Sequence, residues 1–342
     1  MGGVSIELLS GDTAPVLPLL VDLARLIGSK SDPADAGQLL TAVVRDSVPE
    51  IARSQILLAL GEGLRRRGST IAGILTDVKA GPAIVDSLGK FFRRMAETTA
   101  NSAAAESDRS TAIRLLGLTD AAIAERPLVD LLIPQTPPEL QNASIRSLAA
   151  LGTPTAIASM IEGWRGFGPG ARREIVDNLV QTADGAKAIL KAVEGGAIKS
   201  VEIERDKRQL LINHPQAAIR DSAKTVLAEP PSNRKQVVAD YQPALELTGD
   251  VARGRMIFTK ICSQCHRAGT AGNQVGPDFA SVQNKSPADL LIAILDPNRE
   301  AQPIYQTYTA VTKQGRTHTG IISAETAASV TLKRAEAKEN IV

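Results

Sequence analysis

Whatever this chain folds into must accommodate Cys262-Ser263-Gln264-Cys265-His266, a C-x-x-C-H pentapeptide that holds the only two cysteines among 342 residues. Two thiols three positions apart on one helical turn can form thioethers with the two vinyl groups of a haem. The histidine that follows then lies under the porphyrin, with a ring nitrogen aimed at the iron. The competing readings are a C-x-x-C redox pair, or half of a zinc site with a chance histidine behind it. A structural zinc site needs four ligands, and no second Cys/His pair is there to supply them. A thioredoxin-like pair belongs beside a βαβ pattern, and none is visible. The pentapeptide therefore predicts one covalent haem c, attached at Cys262 and Cys265, with His266 as axial ligand to the iron.

The length predicts two domains, each able to bury a core. An apolar content of 43% with 22% charged residues is ordinary for a globular protein. A net charge of +2 gives no case for a nucleic-acid or membrane surface. From Val251 onward eleven Lys/Arg face seven Asp/Glu, so that part carries +4 and the remainder −2. No apolar run reaches the roughly 18 residues of a membrane span. The start, Met1-Gly2-Gly3-Val4, has no basic region followed by an apolar one, so no signal peptide is expected. Haem of the c type is attached outside the bacterial cytoplasm, so the chain is expected to be a fragment of a longer, periplasmic or otherwise extracytoplasmic protein.

Residues 1–228 read as helix after helix, rich in Ala, Leu and Ile. The stretch from Ile51 to Leu60 has helical apolar spacing and is expected to stop at Gly61 and Gly63. Related segments recur around Ile113, Ile145, Ile175 and Ile219, introduced by turns such as Pro137-Pro138, Gly168-Pro169-Gly170 and His214-Pro215. Paired helices at irregular intervals of this size resemble HEAT repeats, which stack into an α-solenoid. An irregular helical domain without true repeats is the alternative. Pro230-Pro231-Ser232-Asn233 then breaks the run, so 229–244 is expected as a linker, with one further helix around Gln236–Tyr241.

The domain from 245 to 342 is expected to open with a helix capped by Asp250 and ending near Ile261. Gly254 and Phe258 share a face of it: the glycine for close crossing by another helix, Phe258 to cover the haem edge. The expected crossing partner is Pro287–Leu295, with an apolar stripe of Leu290, Leu291, Ile294 and Leu295, and with Ser286 and Asp289 placed as a capping box. Between them lies Val275-Gly276-Pro277-Asp278-Phe279. A ligating imidazole needs its second nitrogen tied to something fixed, and the Pro277 carbonyl is the candidate acceptor. Alternation predicts strands over Tyr305–Thr312, Thr317–Ser323 and Ser329–Arg334, with a turn at Lys313–Arg316.

The order Gly254, Phe258, C-S-Q-C-H, Gly276-Pro277 and a short amphipathic helix resembles the class I c-type cytochrome fold. More narrowly it is similar to the haem-binding domain family of Planctomycetes and Verrucomicrobia, on Gly276-Pro277-Asp278-Phe279, Leu295-Asp296-Pro297-Asn298 and Tyr305 through Gly320. The resemblance implies a mainly α chain: a HEAT-like solenoid, then a cytochrome-like helical haem domain with a small β insertion. It also implies a dehydrogenase as fused domain or redox partner. Members of that family complete the iron with a methionine in a Met-Pro segment after the strands. No methionine follows Met256 here, and Met256 lies on the leading helix, so truncation before that segment is expected. His318 is the alternative sixth ligand.

His214 before Pro215 is read as a cap or surface residue, and Arg65-Arg66-Arg67 as suited to the electronegative end of a helix. Gly61-Glu62-Gly63 follows a helix rather than a strand, so it is not a nucleotide-binding turn. With three histidines in all there is little material for acid/base catalysis, and no catalytic residue is assigned. Electron transfer is therefore the leading reading, with the helical repeats as docking scaffold for a periplasmic dehydrogenase. The others are a peroxidase-like enzyme, for which only His318 could serve as distal base, and an interaction scaffold with a sensory or structural haem.

Overall fold

Short Ala/Leu-rich segments, most with proline or a hydroxyl or carboxylate cap at their first turn, become helices along the first two thirds of the chain. The computed structural model describes residues 9, 13–30, 32–228, 234–297, 302–335 and 338–341. They divide into two compact units, 1–163 and 164–342.

In the first unit the helices are Leu17–Ser29, Pro33–Val43, Glu50–Arg66, Ile71–Asp77, Pro82–Ala100, Glu106–Leu116, Ala121–Val129, Pro138–Leu151 and Pro154–Glu162. Asp32, Thr70 and Thr153 accept from backbone N–H groups at their helix starts, satisfying donors that have no partner within the helix. Helices pack on the next in sequence, as Pro82–Ala100 does on Glu106–Leu116, and also farther along: Glu50–Arg66 with Glu106–Leu116, then Glu106–Leu116 with Pro138–Leu151, while Pro82–Ala100 packs on Ala121–Val129 and that helix on Pro154–Glu162. Ile113 and Ile145 are fully buried in this packing. Ser147 Oγ donates to the Ile113 carbonyl at 2.9 Å and Ser144 Oγ to that of Leu128 at 2.6 Å, pinning neighbouring helices by backbone atoms.

The expected stop at Gly61 and Gly63 is corrected: the helix runs on to Arg66. A Cβ at Gly63 would strike the Arg25 carbonyl, and one at Gly28 the Leu60 carbonyl. These glycines are contact points where two helix backbones meet, so tertiary packing overrides their local reading as breakers. Arg65 and Arg66 occupy the last turn, where cations favour the helix dipole.

The second unit begins at the buried Trp164 and continues through Pro169–Leu179, Ala183–Glu194, Arg205–Ile212 and Ala217–Val226. Ile175 and Ile219 are buried in it, as their counterparts are in the first unit. His214 Nδ1 accepts from the Gln216 amide at 3.1 Å, just before the last of these helices. Residues 229–233, with the Pro-Pro break, lie outside the described residues. The rest of the expected linker is structured: Lys235–Asp240 is α-helix, Gln242–Glu246 is 3-10 helix, and both pack on Pro287–Leu295.

A four-stranded antiparallel meander closes the unit, in order β3 (Thr307–Val311), β4 (Thr317–Glu325), β5 (Val330–Lys333) and β6 (Lys338–Ile341). Two shorter strands, β1 (Arg267–Ala268) and β2 (Ala271–Gly272), form a separate hairpin. The meander rests on the helices of its own unit. Gln306 Nε2 donates to the Val201 carbonyl at 3.2 Å, and Tyr308 and Glu325 approach Arg172, which is itself paired with Glu202 at 2.7 Å. Burial holds the Glu325 carboxyl above its ordinary range, with Arg172 pulling the other way, and burial likewise raises the Tyr308 phenol.

Candidate haem-attachment site

The site is assembled by three short pieces of local structure. The first is the helix Val251–Ile261, whose start is capped by Asp250 accepting from the Arg253 amide at 3.0 Å. It delivers the chain into a single 3-10 turn, Cys262–Gln264. The Cys265 and His266 amides both return to the Cys262 carbonyl, at 3.1 and 2.9 Å. That turn puts the two cysteines and the histidine together in one tight loop; both thiols are free, Cys262 half-buried and Cys265 exposed.

The second piece is the β1–β2 hairpin, directly after His266. It reverses the chain so that residues 273–276 run back along the cysteine turn. Asn273 N donates to the Ser263 carbonyl at 3.0 Å, and Val275 N and Gly276 N to that of Cys265 at 3.0 and 2.8 Å. Gly272 makes the reversal possible: its φ is 93°, and a Cβ there would collide with the His266 carbonyl.

The third is the loop Gly276–Asp278. His266 Nδ1 and the Pro277 carbonyl are 2.8 Å apart. A carbonyl can only accept, so Nδ1 carries the proton and Nε2 presents a lone pair, the tautomer an iron ligand needs. Gly276 lies against the imidazole, where an added Cβ would stand 2.7 Å from Cε1. Gly276→Ala is therefore expected to push the ring off its acceptor. In the haem-loaded protein it should lower stability by about 1–3 kcal/mol and alter the axial-ligand spectrum, read by thermal unfolding followed in the haem absorption.

Beyond the loop, Asp278 Oδ1 accepts from the Ala280 amide at 2.9 Å and opens the 3-10 helix Phe279–Val282. Its other oxygen meets Arg267 Nη2 at 2.6 Å. The Ala280 amide, then Arg267, hold the Asp278 carboxyl below the usual carboxylate range. Phe258 packs edge-on against Phe279 with ring centres 4.6 Å apart, and Phe279 stands 6.3 Å from the His266 ring. Phe258 and Pro277 are thus both brought to the cysteine–histidine turn. Phe279 was quoted without a role in the site, and Arg267 and the hairpin were passed over; the Gly269-Thr270 turn dipeptide was the available signal.

Two expectations fail. A Cβ at Gly254 would meet nothing within 4 Å, so no helix among the described residues crosses closely there. Pro287–Leu295 instead takes its packing from residues 235–246, of which 235–244 had been assigned to the linker. His318 lies on β4 opposite Ala310, and Met256 on the leading helix is 66% exposed.

The donor set and its surroundings fit a haem. Neither Val251–Ile261 nor Pro287–Leu295 buries a single residue, although both are rich in apolar side chains. Ile257, Ile261, Phe279 and Ile294 are 50%, 62%, 43% and 73% exposed. Phe279 beside one oriented imidazole, with Ile257 and Ile261 on the helix that leads into the turn of two free thiols, matches a large flat apolar ligand with a metal at its centre. Among the described residues no group of three or more His, Cys, Asp or Glu could hold a bare metal ion, and no helix is long and apolar enough to cross a membrane.

Residues 251–333 match the family model described as Cytochrome c, a span running from the leading helix to the end of β5. No curated protein matches the chain. The family match supports a cytochrome c-like haem domain over residues 251–333, a domain suited to carrying electrons.

Proposed function

We propose that the chain transfers single electrons through one haem c, held by Cys262 and Cys265 and ligated by His266. A haem supplies a one-electron couple; the protein sets where it sits and how it is tuned. The observation that carries this reading is the His266–Pro277 pairing, which leaves Nε2 as the one ring nitrogen with a free lone pair. Cys262 and Cys265 are the attachment points, and the Phe258–Phe279 pair is an apolar surface beside the turn for the macrocycle to cover.

The division of labour is between helical repeats over 1–228 and the haem domain over 245–342. The HEAT-like reading draws support from helices pairing with the next but one, and from the buried isoleucines at its anchor positions. The repeats serve as a docking scaffold toward a redox partner, a periplasmic dehydrogenase or a dehydrogenase domain of the same protein. The affiliation with the haem-binding domains of Planctomycetes and Verrucomicrobia rests on strands β3 and β4, which small all-helical cytochromes lack. An extracytoplasmic location follows from the attachment chemistry.

The test is voltammetry of the haem-loaded chain beside a peroxide-turnover assay. A reversible one-electron wave with no peroxide turnover is expected. Turnover that disappears in His318→Ala would replace the electron carrier by a peroxidase-like enzyme.

A further inference from the structure

We propose that Arg267 and Asp278 are positioning residues that set the reduction potential of the haem by fixing the Pro277 carbonyl on His266; this rests on the haem reading above. Arg267 follows His266 directly, and Asp278 follows Pro277 directly. The two neighbours make two adjacent rungs between the same strands of chain: His266 Nδ1 to the Pro277 carbonyl at 2.8 Å, and Arg267 Nε and Nη2 to Asp278 Oδ2 at 2.7 and 2.6 Å. On its N-terminal side the Pro277 segment is fastened by the Val275 and Gly276 amides. On its C-terminal side Asp278 is the only hydrogen-bonding anchor among the described residues that reaches back to the histidine turn; its remaining bonds run from Ala280 N, Ser281 N and Ser281 Oγ of its own 3-10 helix and to the Gln274 side chain ahead of Pro277. Charge assistance makes the Arg267–Asp278 rung the stronger of the two. Half of it is solvent-facing, with Arg267 43% and Asp278 22% exposed, so its effect lies in geometry more than in stability.

The chemistry follows from what the second nitrogen of a ligating imidazole does. A well-held acceptor on Nδ1–H makes Nε2 a stronger donor, which favours ferric over ferrous iron. If the clasp opens, Pro277 drifts, the imidazole donates less, and the potential rises. Plain Coulomb effects make a different forecast. Removing the Asp278 charge raises the potential, while removing the Arg267 charge lowers it.

Redox titration of the haem-loaded full chain separates the two. The potential is expected to rise in both Asp278→Asn and Arg267→Gln, and to stay near wild type in Asp278→Glu, which keeps charge and reach. Opposite signs for the two neutralised variants, or no movement in either, overturns the proposal. A second arm uses the haem-free chain. Exchange of the Gly276 amide, which donates to Cys265, should be about two- to fivefold faster in both neutralised variants, the worth of one partly exposed ion pair. Unchanged exchange also overturns the clasp. If the wild-type chain takes up no haem, the electron-carrier reading falls, while this arm still decides whether the clasp holds the loop.

Discussion

Replacing both Cys262 and Cys265 by alanine will leave protein whose haem passes into acidified organic solvent, while wild-type haem stays with the polypeptide. The chain is to be produced with a c-type maturation system and an added export signal. The effect is all-or-none because acid protonates the imidazole of His266 and unfolds the apolar contacts, so only covalent bonds can retain the macrocycle. There are two thiols in the sequence, so no other cysteine can take over. Each single variant keeps one thioether and should retain its haem, with the haemochrome band displaced by the unsaturated vinyl that remains. Extraction from wild type would rule out covalent attachment.

The second large effect concerns the iron's other face. With haem attached, this chain is expected to show a high-spin spectrum and to bind carbon monoxide readily once reduced. Strong axial donors on both faces enlarge the d-orbital splitting and leave no vacancy; one histidine alone does neither. The chain has no methionine beyond Met256, and Met256 lies six residues before Cys262 on the helix that leads into the same turn. His318 is the other candidate, on a strand that begins at Thr317. A stable low-spin spectrum that His318→Ala abolishes would establish bis-histidine ligation instead.

What could be read from the sequence was what local chemistry decides. Asp250 and the Ser286/Asp289 capping box start their helices as their side chains dictate, and the box is complete in the structure. Strands β3, β4 and β5 announce themselves by β-branched alternation. The Pro277 acceptor was legible because a Gly-Pro turn a fixed distance after the histidine of a C-x-x-C-H pentapeptide has few other uses. What was missed depends on partners distant in sequence. Gly61 and Gly63 look like breakers until Gly28 of another helix is placed against Gly63. Gly254 looks like a crossing point, yet the helix expected to cross it is drawn to residues 235–246. β6, Lys338–Ile341, carries Lys-Glu-Asn, residues of poor strand propensity, and only pairing with β5 makes it a strand. Arg267 and Asp278 were visible as charges but not as a pair, since the hairpin that joins them is two residues a side.

Gln306 bonding to Val201, 105 positions apart, has a consequence for how the molecule is made. The cysteine turn sits on a long excursion whose two feet stand on the same body, helices before it and meander after it. Drawing those feet together costs roughly 4 kcal/mol of chain entropy, and contacts of such separation form late. Haem attachment acts on a short linear motif, available as soon as the chain emerges. The thioethers are therefore expected to form on an open arm, and the meander to shut the loop afterward, so that cofactor loading precedes completion of the body that carries it.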